Sequence, residues 1–199
     1  MVLTPSVMIP LGTPAPDFSL KDTVTGKKIG PGDFRDKRAL LVMFLCRHCP
    51  YVQHIKLELA RLGKDYLKKD IGIIAVSSND AAGYPEDKPE SLKAMASELG
   101  WTFPFCYDDT QEVAKKYSAA CTPDFFLFGK SKSGVFALAY RGQLDDSRPG
   151  NGKPVTGRDL RAAIDAVLTG QEIPASSQRP SIGCNIKWRA GNEPVYFSH

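Results

Sequence analysis

Cys46-Arg47-His48-Cys49 follows directly on the apolar run from Ala39 to Leu45. A buried strand that ends in Cys-x-x-Cys and opens a helix puts two sulfurs at a helix N-terminus. Unpaired backbone N–H groups and the helix dipole favour a thiolate there. A thiolate beside a second thiol is the equipment of thiol–disulfide exchange. The expected roles are Cys46 as attacking thiol, at the exposed start of the helix, and Cys49 as resolving thiol further in. Arg47 supplies a fixed positive charge and His48 a titratable one, and both favour the thiolate. A structural zinc site wants two further Cys or His ligands at matched spacing. Only His48, His54 and His199 exist and no second Cys pair appears, so neither a metal nor a cofactor is expected.

Three more cysteines complete the inventory. Cys106, within Phe103–Tyr107, reads as a small buried hydrophobe. Cys121 and Cys184 are candidates for a third redox thiol, weighed against burial as inert groups. Cys121 lies two residues before Pro123, and Thr122-Pro123 directly precedes a strand. An X-Pro step of this kind is where a cis peptide bond occurs.

These side chains need a frame to hold them. Residues 18–29 form a small hairpin turning at Thr25-Gly26. After the strand at 38–45, Val52, Ile55, Leu59, Leu62 and Tyr66 mark one face of a helix, with Pro50 suited to its first turn. Ile71–Val76 is a β-branched buried strand, and residues 85–89 are a loop. Leu92, Met95 and Leu99 mark a second helix, 103–107 a short strand, and Val113 with Tyr117 a short helix behind Asp108-Asp109-Thr110. Asp124–Phe128 and Val135–Tyr140 form an antiparallel hairpin. Thr156 and Asp159 have the spacing of a capping box for a last helix that Gly170 ends. The fold class is therefore α/β, a central mixed sheet with helices on both faces. Residues 1–170 form the domain, and 171–199 are an irregular tail that packs on it through Ile182, Ile186 and Trp188.

Strand, Cys-x-x-Cys, helix, strand, then Thr-Pro before a hairpin resembles the thioredoxin fold. Gly12-Thr13-Pro14-Ala15-Pro16-Asp17-Phe18 resembles the opening segment of its redoxin branch, the superfamily of alkyl hydroperoxide reductase and thiol-specific antioxidant. Tyr140–Asp146 and Ser181–Trp188 are similar to a bacterial thioredoxin-like subgroup with a Cys-x-His-Cys-Pro motif. The resemblance implies an N-terminal β-hairpin and an inserted helix, the one around Leu92. It implies that Pro123 is a cis-proline facing the redox pair, with Thr122 and Pro123 helping to hold substrate. It implies a partner that is a disulfide-containing protein, a small disulfide or a peroxide, and an electron-donor thiol system. His before the second Cys is similar to the bacterial disulfide oxidants and implies a pair more oxidising than thioredoxin's. Leu45 stands where thioredoxins carry Trp, and Leu40 where they bury a carboxylate. Neither Cys46 nor Cys49 has the Pro and Thr that peroxiredoxins place seven and three residues earlier.

The chain of 199 residues carries a formal charge of +4 with its basic residues scattered, so nucleic acid is not an expected partner. No apolar run approaches the ~20 residues of a membrane span, and prolines 5, 10, 14 and 16 interrupt the N-terminus, so a cytoplasmic location is expected. The leading expectation is a thiol-disulfide oxidoreductase. A peroxiredoxin-like thiol peroxidase and a non-enzymatic binding or metal-handling module are the alternatives.

Overall fold

The structure is a computed structural model, and it describes residues 3–197. The chain opens with a short strand β1 (Leu3–Pro5) and the hairpin of β2 (Leu20–Lys21) and β3 (Lys28–Ile29). Asp22 closes the hairpin turn by accepting from the Thr25 amide and hydroxyl. There follow β4 (Ala39–Phe44), α1 (Pro50–Tyr66), β5 (Ile71–Ser77), α2 (Pro89–Glu98), β6 (Phe105–Tyr107), α3 (Glu112–Tyr117), β7 (Cys121–Thr122), β8 (Asp124–Lys130), β9 (Phe136–Gly142), α4 (Arg158–Thr169) and β10 (Ile182–Asn185).

The main sheet has the order β6-β5-β4-β8-β9. β4, β5 and β6 run parallel, while β8 and β9 are antiparallel to their neighbours. β4 is central, which is why its sequence is apolar without alternation: both faces are covered. Leu41 and Met43 join Leu59 of α1, Met95 of α2 and Ile164 of α4 in one core. Leu40, Val42 and Phe44 point the other way, into a core closed by Val113 and Tyr117 of α3. At about 1.5–3 kcal/mol for each large apolar side chain removed from water, these two layers fix the register of β4 and so the position at which it releases the chain. This is a thioredoxin-like α/β fold, with the hairpin before the core and α2 as the inserted helix.

Two expectations are corrected. The segment after Gln171 is not wholly irregular, because β10 is the middle strand of a second sheet, β1-β10-β7. Leu3 pairs with Cys184, Cys184 with Thr122, and Asn185 with Cys121. Its partners are distant in sequence, and no periodicity in four residues could announce them. The Thr156–Asp159 capping box is also absent. The Leu144 carbonyl takes its place, accepting from the Asp159 and Leu160 amides at 3.2 and 3.1 Å, while Asp145 holds the turn before the helix by accepting from the Thr156 and Gly157 amides at 2.6 and 2.7 Å and Asp159 accepts from Gln143. Gly170 does end α4, in the left-handed conformation at φ 71°. No helix among the described residues is long and apolar enough to cross a membrane.

Candidate active site

β4 ends at Phe44 and α1 begins at Pro50, so the Cys-x-x-Cys segment is the link between them. Pro50 takes the first helical position, where no N–H donor is needed. Cys49 is therefore the residue that caps α1. Cys46 lies two residues beyond the end of the strand, outside the helix. This reverses the expected geometry, in which Cys46 sat exposed at the helix start. Cys46 and Cys49 are both fully buried. The helix begins after the second cysteine because Pro50 fixes its start there.

Cys49 Sγ lies 2.9 Å from Cys184 Sγ and 3.2 Å from the Thr122 carbonyl oxygen. Cys46 Sγ lies 3.2 Å from Thr122 Oγ1. Thr122-Pro123 is a cis peptide bond, and Thr122 thus touches both sulfurs of the pair. If Cys49 were a thiol, its single proton would have two acceptors competing for it. As a thiolate it accepts instead from Cys184 and Cys46, and from the Val52 amide of the helix's first turn. Burial opposes ionisation, but these donors, joined by the Thr122 side chain, outweigh it and hold the Cys49 pKa far below the usual thiol range. Hydrogen bonds to a charged group contribute about 1.5–3 kcal/mol each, against about 0.3–1 for the helix dipole. The donor set decides the ionisation more than the dipole does. Cys46 goes the other way: burial raises it first, and its bond to Cys49 raises it further. Cys184, whose proton is committed to Cys49, is raised as well.

His48 is held by an acid that nothing in its own polar loop singles out. Its Nδ1 meets Asp87 Oδ2 at 2.6 Å, and its ring stacks on Tyr84 with centroids 5.1 Å apart. The bond to Asp87 raises the His48 pKa, and the charge on Cys49 raises it further. Asp87 is completely buried. Burial alone would push its carboxyl up, yet hydrogen bonds from His48 and Asn79 hold it below the usual carboxylate range. Asp87 also accepts from the Arg47 amide at 2.6 Å and the His48 amide at 3.2 Å, so one carboxylate fixes the whole Arg47-His48 turn. The structure thus makes His48 a half-buried partner of the site. The Arg47 guanidinium instead donates to the Ser91 carbonyl of α2 at 2.6 Å, and its charge is spent on joining that helix rather than on the sulfurs.

Asn79 ties this network to the tail. It donates to Asp87 Oδ2 at 2.7 Å and accepts from the Lys187 amide at 2.8 Å. Gln111 donates to the Lys187 carbonyl at 2.9 Å. Of the two candidates for a third thiol, the structure brings Cys184 to Cys49. Cys121 points at the Pro123 carbonyl, 3.7 Å away, and burial pushes its thiol up. Cys46, His48 and Asp87 place one donor atom each within 4.8 Å of one another, the spacing of a metal donor set. Two of the three groups are already bonded to each other, His48 Nδ1 to Asp87 Oδ2, which leaves only Nε2 of the imidazole unpartnered among the described residues.

Comparison with known proteins places the site in context. The AhpC/TSA family matches residues 11–135, which span Cys46, Cys49, Thr122 and Pro123. An uncharacterized conserved protein from Geobacillus kaustophilus superposes with a TM-score of 0.90 at 51% identity, over 95% of this chain and 97% of that one. A hypothetical protein from Sinorhizobium meliloti 1021 does so with a TM-score of 0.90 at 48% identity, over 94% and 100%. A putative thioredoxin from Neisseria meningitidis gives a TM-score of 0.58 at 25% identity, over 78% and 89%. No curated protein matches the chain.

Proposed function

The chain belongs to the AhpC/TSA family, and from that premise we propose that it is a thiol-disulfide oxidoreductase in which Cys49 attacks and Cys46 resolves. One observation carries the assignment: Cys49 is the N-cap residue of α1 and its sulfur lies 2.9 Å from Cys184 Sγ, a setting that lowers its pKa. Attack of the Cys49 thiolate on a partner disulfide forms a mixed disulfide and releases one partner thiolate. Cys46 then attacks Cys49, forms the Cys46–Cys49 bond and releases the second partner sulfur. His48, half-buried and charged against Asp87, is placed to give a proton to a departing thiolate. Thr122, which touches both sulfurs, and Pro123 after it would contact a bound partner. The partner is a disulfide-bearing protein or small molecule, re-reduced by a separate thiol donor.

A second reading, reduction of small peroxides, is favoured by the burial of every sulfur in the site. A small oxidant needs less opening than a protein disulfide does. The test is a trapping assay with oxidised glutathione and with hydrogen peroxide on the Cys46→Ser and Cys49→Ser variants. The proposal expects the first to be oxidised at Cys49 and the second to form no adduct at Cys46. Rapid sulfenic acid at Cys49 with peroxide, and no reaction with the disulfide, would favour the second reading.

A further inference from the structure

The family match ends at residue 135, well before the strand that covers the pair. β10 does more than close the domain. It lies between β1 and β7, and its Gly183 packs so tightly on Thr122 that a Cβ there would stand 2.0 Å from the Thr122 carbonyl oxygen. That close approach sets Cys184 opposite Thr122 in the register, with its sulfur 2.9 Å from Cys49 Sγ. Lys187, three residues on, is fastened by Asn79 and Gln111. Cys184 itself is only 1% exposed. A thiol that served only to fill space would need none of this aim.

We infer that Cys184 is a second resolving thiol for Cys49, so that Cys49 can form its disulfide either with Cys46 or with the tail strand. The inference rests on the exchange reading above. A covalent S–S bond is about 2.05 Å, so closing the gap takes a shift of less than ~1 Å. The steps balance with a disulfide RS–SR as the oxidant. The Cys49 thiolate forms a bond to one sulfur, and RS⁻ leaves. Cys184 then attacks the Cys49 sulfur and displaces the second RS⁻. The proton of Cys184 ends on the departing sulfur. One protein thiolate and one protein thiol are oxidised to one disulfide, and RS–SR is reduced to one RS⁻ and one RSH. The product joins α1 covalently to the tail strand, which closes the site over Cys49 until a donor thiol reopens it.

The sequence makes the test direct. Trypsin cuts after Arg47, so Cys46 and Cys49 fall on different peptides, with Cys49 on His48–Lys56 and Cys184 on Ala162–Lys187. Reduced protein is exposed to oxidised glutathione, quenched with N-ethylmaleimide, digested and mapped by mass spectrometry. The wild type is expected to yield the Cys49–Cys184 linkage beside the Cys46–Cys49 one. Cys46→Ser is expected to yield Cys49–Cys184 alone. The double variant Cys46→Ser/Cys184→Ser is expected to keep glutathione on Cys49 at least about tenfold longer than Cys46→Ser does. If Cys184 stays alkylated in the wild type and in Cys46→Ser while Cys49 is oxidised, the inference is overturned and the exchange reading stands. If Cys49 is never oxidised, both fall. The wild-type digest carries the same readout should a variant fail to fold.

Discussion

His48 and Asp87 stand 39 residues apart in sequence, and the imidazole Nδ1 meets the carboxylate at 2.6 Å. One buried acid thereby orients the ring, anchors two backbone amides and faces Asn79, so its loss should reach both the charge and the shape of the site. In Asp87→Asn the His48 pKa should fall towards the ordinary 6.5 or below, because the largest cause of its rise is gone. A raised His48 stabilises the fold below its unfolded pKa, and this contribution fades as pH rises through the folded value. The variant should therefore lose most stability on the acid side of neutrality, by roughly 1–3 kcal/mol for the orphaned partners. An NMR titration of the ring resonances and urea unfolding at pH 6 and 8 check both statements. An unchanged His48 titration would refute them.

Asp124 predicts a different pH dependence. It is fully buried, accepts from Ser6 Oγ at 2.7 Å, and burial pushes its carboxyl up to about 7. The unfolded chain ionises it near 3.9, so between about 4 and 7 the folded state holds a proton that the unfolded state does not. Stability should fall as pH rises through that window, by an amount on the order of 4 kcal/mol. Asp124→Asn should flatten this decline. Denaturant midpoints across pH 4–8 for both proteins test it, and parallel curves would contradict it.

Much of this frame was legible in the sequence. Val52, Ile55, Leu59, Leu62 and Tyr66 are all buried on α1, as their spacing required, and the unbroken apolar run of β4 lies between two cores. Those patterns are local, or repeat with a fixed period. What could not be read depended on distant partners. Asp87 sits in a polar loop that gives no sign of reaching residue 48, and Leu144 gives none of capping, through its carbonyl, a helix that starts at 158. β10 pairs with residues near 3 and 122, so its four residues carry no pattern of their own. The expected exposure of Cys46 at the helix start fails for a more local reason. Pro50 takes the first helical position, which makes Cys49 the cap and leaves Cys46 buried before it.

Gly183→Ala should loosen the tail. The added methyl meets the Thr122 carbonyl, which is backbone and cannot swing aside. A cost of about 1–3 kcal/mol concentrated on β10 corresponds to roughly a five- to 150-fold rise in its opening. Amide exchange at Ile182–Asn185 and alkylation of Cys49 should accelerate together. Faster exchange in β10 without faster alkylation would show that the strand does not guard the sulfur.

The donors around Cys49 stabilise its reduced, ionised form, and this should make the pair an oxidant relative to thioredoxin. A redox titration against glutathione is expected to give a midpoint above about −270 mV. A value at or below that figure would mean the donors are not held in place once the pair is reduced.

The account turns on which sulfur carries the charge. Thiolate absorbance at 240 nm, followed against pH in the wild type and in the Cys46→Ser and Cys49→Ser variants, reads this without needing a reagent to reach the site. The predicted result is a thiolate already present at pH 6 in the wild type and in Cys46→Ser, and missing in Cys49→Ser. A low-pH thiolate that survives in Cys49→Ser and disappears in Cys46→Ser would contradict it.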